Sequence, residues 1–217
     1  MSSAPLTSRH SSSVGESPAV IPQSAPLENA APAVTPFADP GPLGLAAFAL
    51  TTFVLSFANA GIIPTAGAAV LGLAAFYGGL GQLIAGIWEF ANKNTFGATA
   101  FCTYGGFWLA FWYLVSTKGD VAAGGSGVGI FLIGFGIFTL YMTIAATKTN
   151  GALIAVFAFL TLTFFALGIG AAAGSSALSH IGGYLGIITA LLAWYTSFAI
   201  VTNSTFKRIV LPVFPRP

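Results

Sequence analysis

The chain is poor in cysteine and poor in charge, and each shortage closes off a class of protein. Cys102 is the only cysteine, so neither an internal disulfide nor a cysteine-cluster metal site can form. Its expected place is as a small buried apolar side chain. Charged residues make up 6% of the chain, against 56% hydrophobic residues and a mean hydropathy of +0.88. Those values lie far outside the range of soluble globular domains and describe an integral membrane protein. The few charges are also segregated. None falls between Leu43 and Trp88, between Thr95 and Thr117, between Val121 and Thr147, or between Thr149 and Phe206. No His/Cys metal pattern, phosphate-cradling loop or paired nucleophile and base occurs, so an enzyme, a cofactor and a metal are not expected.

The apolar runs are long enough for helices that cross a bilayer, which takes about 20 residues for roughly 30 Å. Dividing them at Pro64-Thr65, Asn92 to Asn94, Lys118 to Gly127, Lys148 to Asn150 and Gly174 to Ser176 predicts six helices, at 42–62, 67–91, 96–117, 128–147, 151–173 and 179–202. Alternating strands of a barrel are not seen, so the expected fold is all-α. Residues 1–38, rich in Ser, Ala and Pro, read as a disordered tail that cannot bury enough surface to offset its own ordering. No apolar core lies close enough to Met1 for a cleaved signal peptide, so the first helix is the expected targeting signal. The six-helix domain is expected over 39–205, with a short tail at 206–217. Of the seven Lys and Arg, placing both termini in the cytoplasm leaves only Lys118 outside, which sets the expected orientation.

A weak internal repeat refines the architecture. Asp39, Asn94 and Asn150 precede the first, third and fifth helices, and Phe48, Tyr104 and Leu160 follow them at steps of 56 residues. Such a period fits three hairpin units around an axis along the membrane normal. Phe48, Tyr104 and Leu160 would then meet at one level as a hydrophobic constriction that gates by excluding water; ordinary helix packing is the alternative.

Pro40 and Pro42, in the segment Asp39-Pro-Gly-Pro-Leu-Gly-Leu45, suit the first turn of a helix, where a missing N–H costs nothing, and Asp39 can cap its free donors. This segment, with Gly44, joins Tyr77-Gly-Gly-Leu-Gly-Gln82, Gly86-Ile-Trp-Glu89, Asn94-Thr-Phe-Gly97, Thr103-Tyr-Gly105 and the C-terminal Arg208-Ile-Val-Leu-Pro212. Together these resemble the acetate uptake transporter family, the succinate-acetate permeases, over about 39–213. The resemblance implies six helices per protomer, a homohexamer in the plasma membrane with a path through each protomer, and uptake of acetate and other short monocarboxylates. Succinate in some members and proton coupling are also implied. Large residues at the positions of Phe48, Tyr104 and Leu160 narrow the family's path. Three departures stand out: Asp39 replaces the family's usual Asn, Gly41 its Ala, and Lys93 its Gly. An ionised Asp39 at a cytoplasmic mouth would repel an anion, unless it acts only as a cap.

No Lys or Arg lies in the membrane interior, and an unpaired acetate anion there would be very costly. The chain must therefore offer dipoles or pass the neutral acid. Expected donors are the N-termini at Asp39, Asn94 and Asn150, together with Gln82, Asn94, Thr95, Thr99, Thr103 and Tyr104. Glu89 is the only acid within a predicted span and is the proton-relay candidate; the alternative is a helix-end pair with Lys93 four residues on. His180, Gly182 and Gly186 are assigned to structure and packing, and Trp88, Trp108, Trp112, Tyr113 and Trp194 to interfacial belts or subunit contacts. Expected partners are a small carboxylate, the lipid bilayer and further copies of the chain, with no nucleic acid. The rival functions are a channel for small neutral amides such as urea, and a membrane sensor or scaffold.

Overall fold

The computed structural model describes residues 37–216, so the expected tail at 1–38 lies almost wholly outside the described residues. Those residues form six helices, α1 (Gly41–Asn59), α2 (Ala66–Ala91), α3 (Thr95–Ser116), α4 (Gly119–Ala146), α5 (Gly151–Ala173) and α6 (Ser176–Phe206). Five are long and apolar enough to cross a membrane. The other, α3, exchanges aliphatic residues for Thr, Gly, Tyr and Trp along its length.

Each boundary has a local cause. Asp39 Oδ1 accepts a hydrogen bond from Gly41 N at 2.8 Å, Asn94 Oδ1 from Gly97 N at 3.1 Å and Asn150 Oδ1 from Leu153 N at 2.9 Å, satisfying first-turn donors of α1, α3 and α5. Gly174 stops α5 in the left-handed region at φ 61, where glycine carries no steric penalty. The largest departure from expectation is at α4, which starts at Gly119 rather than 128. Its glycine-rich first third reads as a loop in sequence, and the helix is indeed broken at Gly124, with φ 63 and ψ −178. Beyond the break the glycines serve close packing: a Cβ on Gly129 would lie 2.8 Å from Gly168 O on α5. The middle of α2, Leu73–Gly81, is π-helical, a local widening that sequence periodicity does not announce.

The helices close into a ring. Each packs on the next in the chain, α6 returns to α1, and among the described helices α5 has backbone contact with α4 and α6 alone. Side chains project into the space between α1, α3 and α5, chiefly Phe48, Tyr104, Phe107, Phe157, Leu160 and Phe164. In a bilayer the drive to associate comes from packing and interhelical hydrogen bonds, and the ring's seams carry both. Tyr104 meets Thr139 at 3.0 Å between α3 and α4, and Thr143 meets Thr161 at 3.0 Å between α4 and α5. Thr163 meets Thr189 at 3.4 Å between α5 and α6. Ser197 Oγ donates to Pro42 O at 2.7 Å between α6 and α1. Gly44 admits α3 closely, because a Cβ there would lie 2.5 Å from the Phe101 ring.

Past α6 the chain folds back. Asn203 Nδ2 donates to Leu211 O at 2.8 Å, and its Oδ1 accepts from Val210 N and Leu211 N at 2.7 and 3.0 Å. Gly151 N and Ala152 N then donate to Phe214 O and Val213 O, so the C-terminal segment caps α5.

Candidate functional site

Two cavities lie inside the ring, end to end. The larger, of about 400 Å³, is lined by the C-terminal halves of α1, α3 and α5 and the start of α4. The smaller, of about 220 Å³, is lined by the N-terminal halves of α1, α3 and α5 and by α2 from Gln82 to Glu89. Phe48 and Leu160 belong to both walls. Tyr104 lines the smaller cavity, and its ring centroid lies 5.8 Å from that of Phe48. All three side chains are buried, at 5%, 3% and 3% exposure for Phe48, Tyr104 and Leu160. Phe48 and Leu160 thus border both cavities, and Tyr104 stands beside Phe48 on the smaller one.

Hydrogen-bond bookkeeping defines what this boundary offers a solute. Thr139 Oγ1 donates its one hydrogen to Phe135 O at 2.7 Å. In the 3.0 Å contact with Tyr104 it must therefore accept, and the Tyr104 hydroxyl is the donor. Tyr104 has no second hydrogen to give. The boundary between the cavities thus presents rings, a methyl-bearing side chain and at most an acceptor oxygen, with no donor for an anion.

Of the three N-termini, that of α5 does not supply the free donors expected of it: Gly151 N and Ala152 N go to the fold-back segment and Leu153 N to Asn150. At α1 and α3 the side-chain caps take up Gly41 N and Gly97 N. Asp39, Asn94 and Asn150 all line the smaller cavity. Thr95 is exposed, Thr99 and Thr103 are half-buried, and the walls of these two cavities include none of them. Gln82 does line the smaller cavity. It is fully buried, and both its amide atoms lack a hydrogen-bond partner among the described residues.

Glu89 is 3% exposed and lines the smaller cavity. Its carboxylate accepts from Asn94 Nδ2 at 2.9 Å. Lys93, beyond the helix end, adopts φ 58, so the helical i, i+4 geometry expected for a Glu89 and Lys93 pair is absent. Charge along the cavities is all of one sign: Asp39 and Glu89 on the smaller, Asp120 on the larger, and no Lys or Arg on either wall.

Two groups on the larger cavity escape sequence reasoning. Trp108, expected in a belt or subunit contact, is instead 2% exposed. It lines the cavity with Thr52, and Trp108 Nε1 and Thr52 Oγ1 have no hydrogen-bond partner among the described residues. An aromatic-rich helix gives no hint of which indole turns inward; only the ring closure decides it. Trp88, Trp112 and Tyr113 remain exposed, as belt residues would be.

The sequence pattern of the GPR1/FUN34/yaaH family matches residues 23–217. The chain belongs to this family. A Saccharomyces cerevisiae member, ammonia transport outward protein 2, is 43% identical over 193 residues, covering 83% of this chain and 67% of the relative. Another GPR1/FUN34/yaaH protein, the succinate-acetate/proton symporter SatP of Escherichia coli, is 38% identical over 182 residues, covering 82% of this chain and 96% of the relative. The solved structure of the bacterial acetate channel SatP superposes with a TM-score of 0.77 at 39% identity, covering 82% of this chain and 99% of that one. These relatives are named for transport rather than for enzyme chemistry.

Proposed function

We propose that this member of the GPR1/FUN34/yaaH family passes acetate and other short monocarboxylates across a membrane, in step with a proton, through a path within each protomer. The observation that carries this is the pair of cavities that share Phe48 and Leu160, with Tyr104 beside them on the smaller one and no cationic side chain on either wall. The likeness to an acetate channel and to a succinate-acetate/proton symporter supports the same substrate class.

Physics favours the neutral acid as the species that crosses the constriction. A carboxylate stripped of water without a cation or a set of donors carries a prohibitive cost, and the Tyr104 hydroxyl is already spent on Thr139. With a pKa near that of a glutamic side chain, about 4.3, roughly 0.2% of the acid is neutral at pH 7 and about 17% at pH 5. Glu89, buried beside Asn94, is placed to exchange a proton with an acid in the smaller cavity. Asp39 and Asp120 keep anions dilute at the two ends and leave neutral acids unaffected.

The remaining assignments are supported by the 56-residue repeat, the distribution of Lys and Arg, and the family resemblance. Six helices act as three hairpins about the path, the smaller cavity faces the cytoplasm with both termini, and the protein is a homohexamer in the plasma membrane. Residues 39–205 carry transport. Purified protein in liposomes, assayed with labelled acetate, succinate and urea at pH 5 and pH 7, tests the proposal. Acetate uptake that is faster in acid supports it. Urea flux without acetate flux would replace it by an amide channel, and no flux of any solute would favour a sensor.

A further inference from the structure

We propose that Gln82 recognises the protonated carboxylic acid, edge to edge, through two hydrogen bonds. The inference rests on the transport function proposed above and specifies which form of the substrate the smaller cavity selects. Gln82 stands directly after the π-helical stretch Leu73–Gly81, on the same buried face as Glu89 two turns further on. It shares the smaller cavity with Phe48 and Tyr104, is 0% exposed, and both Nε2 and Oε1 are without a partner among the described residues. A buried amide is expected to be bonded, and a membrane interior makes the demand stricter. Of the path groups without partners, Trp108 Nε1 is a donor only and Thr52 Oγ1 is a single hydroxyl. Gln82 alone combines a planar N–H and C=O side by side.

That edge has a complement. A neutral carboxylic acid presents O–H and C=O on one side, so its O–H donates to Oε1 while its C=O accepts from Nε2. A carboxylate presents two acceptors: one oxygen can take the Nε2 hydrogen, but the other then faces Oε1 and is repelled. A primary amide matches Gln82 as the neutral acid does, with no charge at any ordinary pH. The titratable side chains on this cavity are Asp39 ahead of α1, Glu89 on α2 and Tyr104 on α3; α5 and α6 contribute Asn150 and apolar residues.

The test uses the intact protein in liposomes, with labelled acetate and with acetamide as competitor, between pH 5 and pH 6. The half-saturating concentration should stay constant when written as acetic acid, and so rise about eightfold from pH 5 to pH 6 when written as total acetate. Acetamide should compete with a constant that does not follow the acid's ionisation, so any pH dependence in that constant belongs to Asp39 or Glu89. Gln82→Leu should raise the half-saturating acetic acid concentration about tenfold, or about 1.4 kcal/mol, and weaken acetamide competition equally. Gln82→Met provides a second variant of similar size. Half-saturation fixed in total acetate, no acetamide competition with the unaltered protein, or unchanged affinities in both variants would each overturn the proposal. The first two readouts need no variant to fold. Absence of acetate uptake by the unaltered protein would instead overturn the transport function itself.

Discussion

Replacing Tyr104 by Phe and by Ala separates the two things this side chain can do. The phenolic O–H donates to Thr139 Oγ1 at 3.0 Å, while the ring packs on Phe48 at 5.8 Å, Phe138 at 5.4 Å and Phe157 at 6.1 Å. Tyr104→Phe removes the hydroxyl only. Thr139 still donates to Phe135 O, so no buried donor is orphaned, and the expected cost is that of one neutral hydrogen bond, about 1 kcal/mol. For a chain of this size that is about 2–4 °C in Tm. Because the hydroxyl has no hydrogen left for a solute, acetate uptake should stay within about threefold, a change worth less than about 0.7 kcal/mol. Tyr104→Ala removes the ring as well. The cost rises to about 3–5 kcal/mol, softened where the new space joins the existing cavities, and the barrier between the two cavities is lost. Longer monocarboxylates such as butyrate should then gain on acetate. Thermal unfolding in detergent measures the first effect and liposome uptake of acetate against butyrate the second. Loss of acetate uptake in Tyr104→Phe would refute the hydrogen-bond assignment, and unchanged selectivity in folded Tyr104→Ala would make the residue mere packing.

Further expectations are narrower. Glu89→Gln keeps an acceptor for Asn94 but cannot exchange a proton, so acetate uptake should fall because the acid must then arrive already protonated; uptake equal to that of the unaltered protein at both pH 5 and pH 7 excludes the relay. Gly44→Ala places a Cβ 2.5 Å from the Phe101 ring and should cost about 1–3 kcal/mol by overpacking, read as a lowered Tm. Lys93 holds φ 58, a conformation costing roughly 1 kcal/mol for a residue with a Cβ, so Lys93→Gly should raise Tm slightly. Asn203→Ala removes three hydrogen bonds that hold the fold-back at Val210 and Leu211, and should speed proteolytic trimming of the C-terminus without unfolding the helices.

Where the chain's own chemistry is local, the sequence discloses it. Asn150 as cap and Gly174 as stop give α5 its bounds, 151–173, in agreement with expectation. The start of α4 escapes because Gly125 and Gly129 look like a loop until Ala171 and Gly168 of α5 are brought against them. Period counting also overlooks the π-helical turn before Gln82, since it shifts hydrogen-bond partners without changing residue types. The spacing of Phe48, Tyr104 and Leu160 is visible in one dimension, whereas the selection of Trp108 and Thr52 for the larger cavity depends on ring closure. The fold-back that occupies the N-terminus of α5 is a contact between residues about sixty positions apart and leaves no pattern in either segment. It is the reason that a terminus resembling an anion site in sequence has its donors taken.

The central claim is that a cation-free path with an aromatic constriction passes short monocarboxylic acids. Initial uptake of labelled acetate into liposomes holding the purified protein, compared at pH 5 and pH 7 and corrected for protein-free vesicles, tests it most directly. The account predicts protein-dependent, saturable uptake that is faster at pH 5, following a neutral fraction that is about 80-fold larger there. Uptake that is independent of pH, or no greater than in protein-free vesicles, would contradict it.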